Sequence, residues 1–239
     1  MPQGPGGVIF CTGDLLNLWP VAPAPVVEPP LKRAVVFIDG QNLYHCVRET
    51  FGYSHPNYDV MKLSHATCRL RGWNVSQVRF YTGFPDATDN AQWHAFWVKK
   101  LLAIKRQGAH VYSRALRYRD RVIELGQGVT HTKRIGEEKG IDVRLAIDVI
   151  RLAHRNAYDV ALVFSQDQDL SEVADEVRLI SREQHRWIKM ACAFPYAAGC
   201  PNARGINGTD WVQIKLTHHL FRRSIVDRQM PSIVGLARA

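Results

Sequence analysis

Arg33-Ala34-Val35-Val36-Phe37-Ile38-Asp39-Gly40-Gln41-Asn42 is the stretch that decides the fold. Ala34 to Ile38 is a continuous apolar run without polar alternation. It suits a central strand covered on both faces, as parallel sheets require. The run stops at Asp39-Gly40, a turn signal, and a helix is expected from Asn42 to Phe51. A second run of the same kind, Val160 to Phe164, ends at Ser165-Gln166-Asp167. Three more strands are predicted at Val75–Thr82, Ala109–Ser113 and Trp187–Phe194. Helical spacing falls between them, at Val60–Leu70, Asn90–Gln107, Ile141–Asn156 and Leu170–Ser181. Gly108 is placed to close the helix before it. Trp93, Phe96 and Trp97 have i, i+3, i+4 spacing, which reads as core packing rather than a base-stacking platform. Arg119–Leu125 and Val129–Arg134 flank Gly126-Gln127-Gly128 and predict a hairpin. The alternation predicts an α/β fold in three layers, with a central, mainly parallel sheet of about five strands flanked by helices.

Two predicted strands end in carboxylates: Asp39, with Asn42 three residues on, and Asp167 with Asp169. Charge is not tolerated inside buried strands, so these acids belong at the sheet rim. In open α/β sheets that rim is where sites form, at the point where strand order reverses. The helix entered at Gly140 adds Asp142 in its first turn and Asp148 further along. Carboxylates gathered in one crevice repel each other unless cations neutralise them. Carboxylate and amide oxygens suit Mg2+ or Mn2+, which activate water and stabilise an in-line phosphodiester displacement. The plainer reading of each residue also stands. An Asp after a strand serves as a turn residue or N-cap, Asp142 as a helix N-terminal acid, and Asp148 as a partner for Arg151 or other basic neighbours.

Phe37-Ile38-Asp39-Gly40-Gln41-Asn42-Leu43 resembles the opening motif of NYN domains. Lys139-Gly140-Ile141-Asp142-Val143, continuing through Leu145-Ala146-Ile147-Asp148, resembles their second motif. Val163-Phe164-Ser165-Gln166-Asp167-Gln168-Asp169-Leu170 resembles their third. The likeness covers residues 33 to 216. It implies a PIN-like fold, related to FEN-type nucleases, and metal-dependent ribonuclease chemistry; the family includes bacterial LabA-like members. Carried over by motif, Asp39, Asp142, Asp148, Asp167 and Asp169 form the acidic, metal-holding set, with Asn42 beside Asp39. Helix-start geometry favours Asp142 as the direct ligand, whereas the spacing in PIN-like relatives favours Asp148. The two lie about 9 Å apart along a helix axis. Gln166 stands where the third motif commonly has Gly.

Substrate must be held against this acidity. Arg117, Arg119 and Arg121 share one face of an extended segment, Tyr118 lies among them, and Lys133 and Arg134 add charge before the second motif. They are the candidate RNA-binding residues; a solvated edge strand protected by charge is the alternative. The chain of 239 residues carries a net charge of +9. The first thirty residues hold Asp14 and Glu28 but no Lys or Arg, which leaves +11 on the rest. A basic body points to a polyanionic partner. Residues 1–30, rich in Pro and Gly, read as a flexible leader that could engage a protein partner or a second copy. Residues 31–216 read as the nuclease domain and 217–239 as a basic tail. No window approaches about 18 uninterrupted apolar residues, so no membrane span is expected. The start has no secretory pattern, and a cytoplasmic location is expected. Five cysteines without C-x-x-C spacing argue against a zinc ribbon and a disulfide framework. His218 and His219 would point about 100° apart on a helix and make a poor metal pair. Two other functions fit less well. A non-catalytic RNA-binding or regulatory module would use the same fold. A small-molecule phosphohydrolase with an aspartyl nucleophile lacks the second Asp, because residue 41 is Gln.

Overall fold

The computed structural model describes residues 25–53, 58–124, 130–200 and 204–215. The first apolar run forms β1 (Lys32–Asp39). It is followed by α1 (Gly40–Phe51), α2 (Val60–Leu70), β2 (Trp73–Phe84), α3 (Ala91–Arg106) and β3 (His110–Ala115). A hairpin, β4 (Arg117–Glu124) and β5 (Thr130–Glu137), leads to α4 (Ile141–His154) and β6 (Val160–Phe164). A single 3-10 turn, Gln168–Leu170, opens α5 (Ser171–Glu183), and β7 (Lys189–Tyr196) and β8 (Asp210–Lys215) complete the order.

Six strands form one sheet in the order β3-β2-β1-β6-β7-β8, and every pairing is parallel. From β1 the chain winds one way, through β2 to β3; from β6 it winds the other way, to β7 and β8. The order therefore reverses between β1 and β6, the two continuous apolar strands. They are buried on both faces because helices cover both. Leu43, Val47, Leu63, Leu101 and Ile104 of α1, α2 and α3 pack on one side, against Val36, Ile38, Phe80, Leu162 and Phe164. Leu145, Val149, Val173 and Val177 of α4 and α5 pack on the other, against Val35, Phe37, Ala161 and Val163. Trp93, Phe96 and Trp97 are half-buried on α3, and Trp97 packs against the first of these cores.

The sheet has one more strand than the sequence predicts. β8 is a short edge strand in which Val212 and Ile214 face inward while Asp210, Trp211 and Lys215 stay exposed. Only two core positions distinguish it from a loop, too little for a periodicity signal. The hairpin is as expected. Arg117 pairs with Glu137 and Glu124 with Thr130 in an antiparallel ladder separate from the main sheet; Gly126, Gln127 and Gly128 lie outside the described residues. Cys46, Cys68, Cys192 and Cys200 are unpaired thiols. Cys11, His218, His219, most of the leader (1–24) and the basic tail lie outside the described residues. No helix among the described residues is long and apolar enough to cross a membrane.

Candidate active site

Asp39 closes β1 and at the same time caps α1, where its Oδ1 accepts a hydrogen bond of 3.0 Å from the Asn42 backbone amide. Gly40 follows because α1 begins hard against β2: a Cβ there would lie 2.6 Å from Phe80 Cζ and 3.0 Å from the Tyr81 carbonyl. The Asn42 side chain faces the neighbouring loop, where its Oδ1 accepts from the Gln166 amide at 2.9 Å. Ser165 donates its hydroxyl to Asp39 Oδ2 at 3.3 Å and accepts from the Asp167 amide at 3.2 Å. These bonds tie the ends of β1 and β6 together at the point of strand reversal, the position where open α/β sheets place their sites.

A cleft of about 780 Å³ opens there. Asp39, Glu49, Glu138, Asp142 and Asp167 bring five carboxylates to its wall, with Asn42, His45, Gln166, Gln168 and Arg204 among the other lining residues. They arrive from β1, the last turn of α1, the turn before α4, the first turn of α4 and the loop after β6. The electrostatics follow from this convergence. Burial pushes the Asp39 carboxyl up to about 6; hydrogen bonds from Asn42 and Ser165 oppose the rise, and the charges of Asp167 and Asp142 add to it. Burial, then the nearby Asp39 and Asp142, pushes Glu138 up to about 8. Glu138 also accepts a hydrogen bond from the Gly83 amide, which fixes the turn before α4 to β2.

The expected acidic set divides. Asp39, Asn42, Asp142 and Asp167 come together on the cleft wall. Asp169 does not: it is exposed on the 3-10 turn, and its backbone amide donates to Asp167 Oδ1, the cap of that turn, at 3.1 Å. Asp148 does not either. It is fully buried on another face of α4, where Arg79 Nη2 (2.9 Å) and the Tyr81 hydroxyl (3.0 Å) both donate to its Oδ2. Arg144 Nη2 lies 3.1 Å from Oδ1 and Arg151 Nη2 3.8 Å. Burial works against its ionisation, yet the Tyr81 and Arg79 hydrogen bonds and the Arg79 and Arg144 guanidinium groups hold the carboxyl below its ordinary range. Asp148 is thus a structural counter-ion for arginines rather than a site carboxylate.

Arg117, Arg119 and Arg134 of the hairpin stand outside the cleft wall. β4 leaves from the end of β3 and β5 returns to the turn carrying Glu138, so the hairpin rises from the rim of the site. Arg117 and Arg119 are exposed, and Arg119 Nε lies 3.5 Å from Glu137. Arg134 sits 5.1 Å over the Tyr118 ring and 3.4 Å from Asp89. That position covers one face of the Tyr118 ring. The side chains of Arg121 and Lys133 lie outside the described residues.

The sequence profile of the NYN domain matches residues 33–183. The chain belongs to the NYN domain family. NYN domains are generally nucleases that act on RNA, and the parallel sheet between two helix layers is the architecture expected of their PIN-like fold. None of the curated proteins matches the chain. Two solved structures resemble this NYN protein. A protein of unknown function from Vibrio parahaemolyticus is 18% identical, with a TM-score of 0.42, over 77% of this chain and 93% of its own. MurG from Acinetobacter baumannii is 11% identical, with a TM-score of 0.30, over 76% of this chain and 45% of its own. Both likenesses are too distant to inform the chemistry.

In this NYN domain, charged residues of the cleft that reading by motif passes over are Glu49, Glu138 and Arg204. Glu138 precedes the second motif within Glu137-Glu138-Lys139-Gly140, and an acid two residues before the glycine that starts the helix is the signal that could have found it. Arg204 lies beyond the matched residues.

Proposed function

We propose that this NYN protein is a metal-dependent ribonuclease that hydrolyses RNA phosphodiester bonds in the cleft between β1 and β6. The observation that carries the reading is the convergence of Asp39, Glu138, Asp142 and Asp167 on that cleft, with two of them held protonated to unusually high pH. A wall so short of positive charge is the environment a divalent cation completes. Among the described residues no three acidic, His or Cys side chains stand ready to close on one ion. The donor set fits all the same: it is made of hard carboxylate oxygens with an amide beside them, the preference of Mg2+ and Mn2+. Asp39, Asp142 and Asp167 would hold the ion, with Glu138 beside them. A divalent ion supplies charge stabilisation on the phosphodiester and activation of water.

The chain's own residues prepare this cleft. Ser165 and the Asn42 amide orient the Asp39 carboxylate, and Asn42 Oδ1 fixes the loop that carries Asp167. Without a cation, Glu138 keeps its proton at neutral pH, which limits repulsion among the cleft carboxylates. Arg117, Arg119, Arg121, Lys133 and Arg134 on the hairpin are the proposed flanking contacts to the RNA backbone. The test is a gel assay of labelled single-stranded RNA and DNA with Mg2+, Mn2+ or EDTA. RNA cutting with either metal and none in EDTA is expected. Equal cutting in EDTA would remove the metal mechanism, and RNA binding without cutting in any metal would leave a non-catalytic binding module.

A further inference from the structure

Five carboxylates line the cleft, and a phosphodiester must approach them. Among the described residues the wall has one Lys or Arg, Arg204. His45 adds no full charge at neutral pH, because burial and then Arg48 lower its pKa from the ordinary 6.5. Arg204 is exposed and has no ion-pair partner among the described residues. It lies in the connection between β7 and β8, outside the residues matched to the family.

That connection is stapled to the third-motif loop by two side chains of the motif itself. Gln166 Nε2 donates to the Arg204 carbonyl at 2.7 Å. Gln168 Nε2 donates at 3.1 Å both to the Gln166 carbonyl and to the Gly205 carbonyl, and its Oε1 accepts from the Asn207 amide at 3.2 Å. On the far side the Trp211 indole donates to the Ile206 carbonyl at 2.9 Å, and Arg178 Nη1 to the Gly208 carbonyl at 2.6 Å. Gly205 lets the chain press onto the core, since a Cβ there would lie 2.8 Å from both Phe194 Cε1 and Trp211 Cδ1. Arg204 is therefore held at the cleft wall by its backbone, against the loop that carries Asp167. A Gly at position 166, common in this motif, would have no side chain to reach the Arg204 carbonyl.

We infer that Arg204 binds a phosphate of the RNA strand entering the acidic cleft, and that Gln166 and Gln168 are the positioning residues that hold it there. The inference rests on the nuclease reading and adds to it a substrate-contacting residue supplied from beyond the family motifs. A guanidinium reads phosphate bidentately, and a cation on the same cleft wall draws the strand against the repulsion of the carboxylates.

The test measures binding of fluorescein-labelled single-stranded RNA in EDTA, over a range of salt, together with kcat and KM in Mg2+. Arg204→Ala is expected to weaken binding about 10- to 100-fold, as for loss of a charge-assisted contact. It should also flatten the salt dependence by about one ion. KM should rise more than kcat falls, because the contact is made to bound substrate as well as to the transition state. Arg204→Lys should recover part of the loss, and neither variant should change the melting temperature. Gln166→Gly keeps the backbone donor to Asn42 but removes the staple; it should weaken binding in the same direction, and by little more when combined with Arg204→Ala. Wild-type affinity and salt slope in Arg204→Ala would overturn the inference and leave the nuclease reading standing. A wild-type protein that neither binds nor cuts RNA would overturn both.

Discussion

Replacing Asp39 by Asn removes one charge from the cleft, keeps the bond from the Asn42 amide and reverses the direction of the bond with Ser165. The Asn Oδ1 still accepts from the Asn42 amide, and Nδ2 donates to the Ser165 hydroxyl, whose second lone pair accepts the Asp167 amide. Asn is also a good N-cap for α1. The energetic consequence follows from the carboxyl itself, raised from the ordinary 3.8 to about 6. Its folded value lies above its unfolded value, so the charged form is disfavoured in the folded protein. That penalty is absent below pH 3.8, grows between pH 3.8 and about 6, and is complete above. At about 1.4 kcal/mol per pH unit it reaches about 3 kcal/mol at most. Without metal, Asp39→Asn should therefore melt higher than wild type at pH 7.5, by up to roughly 6–12 °C for a domain of this size. The two curves should converge near pH 4. Relief of Glu138, which Asp39 also repels, works in the same direction. In Mg2+ the advantage should shrink or reverse, because an ion at 100 times its Kd stabilises wild type by about 2.7 kcal/mol and the variant by less. RNA cutting should be abolished while RNA binding survives. The assay is thermal melting from pH 4 to 8 with EDTA and with Mg2+, beside the cleavage rate. A variant that melts below wild type at pH 7.5 in EDTA, or that cuts normally per folded molecule, would refute the reasoning.

Asp148→Ala should do the reverse. It leaves Arg79 buried without its partner, which costs about 3–5 kcal/mol, while cutting per folded molecule persists; loss of cutting at unchanged stability, by melting and kinetics together, would return Asp148 to the site. Because the Asp148 carboxyl is held below its ordinary 3.8, its contribution is complete above that value and is lost as pH falls further, so the stability difference between wild type and Asp148→Ala should narrow only in strong acid. Replacing Arg117, Arg119 and Arg121 together by Ala should weaken RNA binding and reduce its salt slope without changing the fold; unchanged binding across several salt concentrations would mark the hairpin as a solvated ladder.

The fold was legible because its central strands are uninterrupted. Ala34–Ile38 and Val160–Phe164 carry no polar residue that would let either lie at an edge, and the helices between them keep apolar spacing. Val60–Leu70 and Val160–Phe164 have the same bounds in sequence and structure. β8 was not legible, since an edge strand buries one face and here offers only Val212 and Ile214.

The site was legible where a carboxylate is fixed by the local chain and obscure where it depends on a distant partner. Asp39 and Asp167 end apolar strands, and strand geometry alone sends them to the rim. Asp142 and Asp148 share a helix but are six residues apart, so they point about 120° apart around its axis. A helix whose first turn offers Asp142 to the cleft must turn Asp148 away from it. What receives Asp148 is Arg79 and Tyr81 on β2, nearly seventy positions earlier in the chain, a pairing that no local pattern discloses. The same distance hides the cleft's cation. Gln166 and Gln168 read as departures or spacers within the third motif until the β7–β8 connection is folded against them, whereupon both prove to be ligands of that connection. The motif thus supplies the acids of the cleft by short-range geometry, while the arginine on the same cleft wall comes from a segment the motif holds only through space.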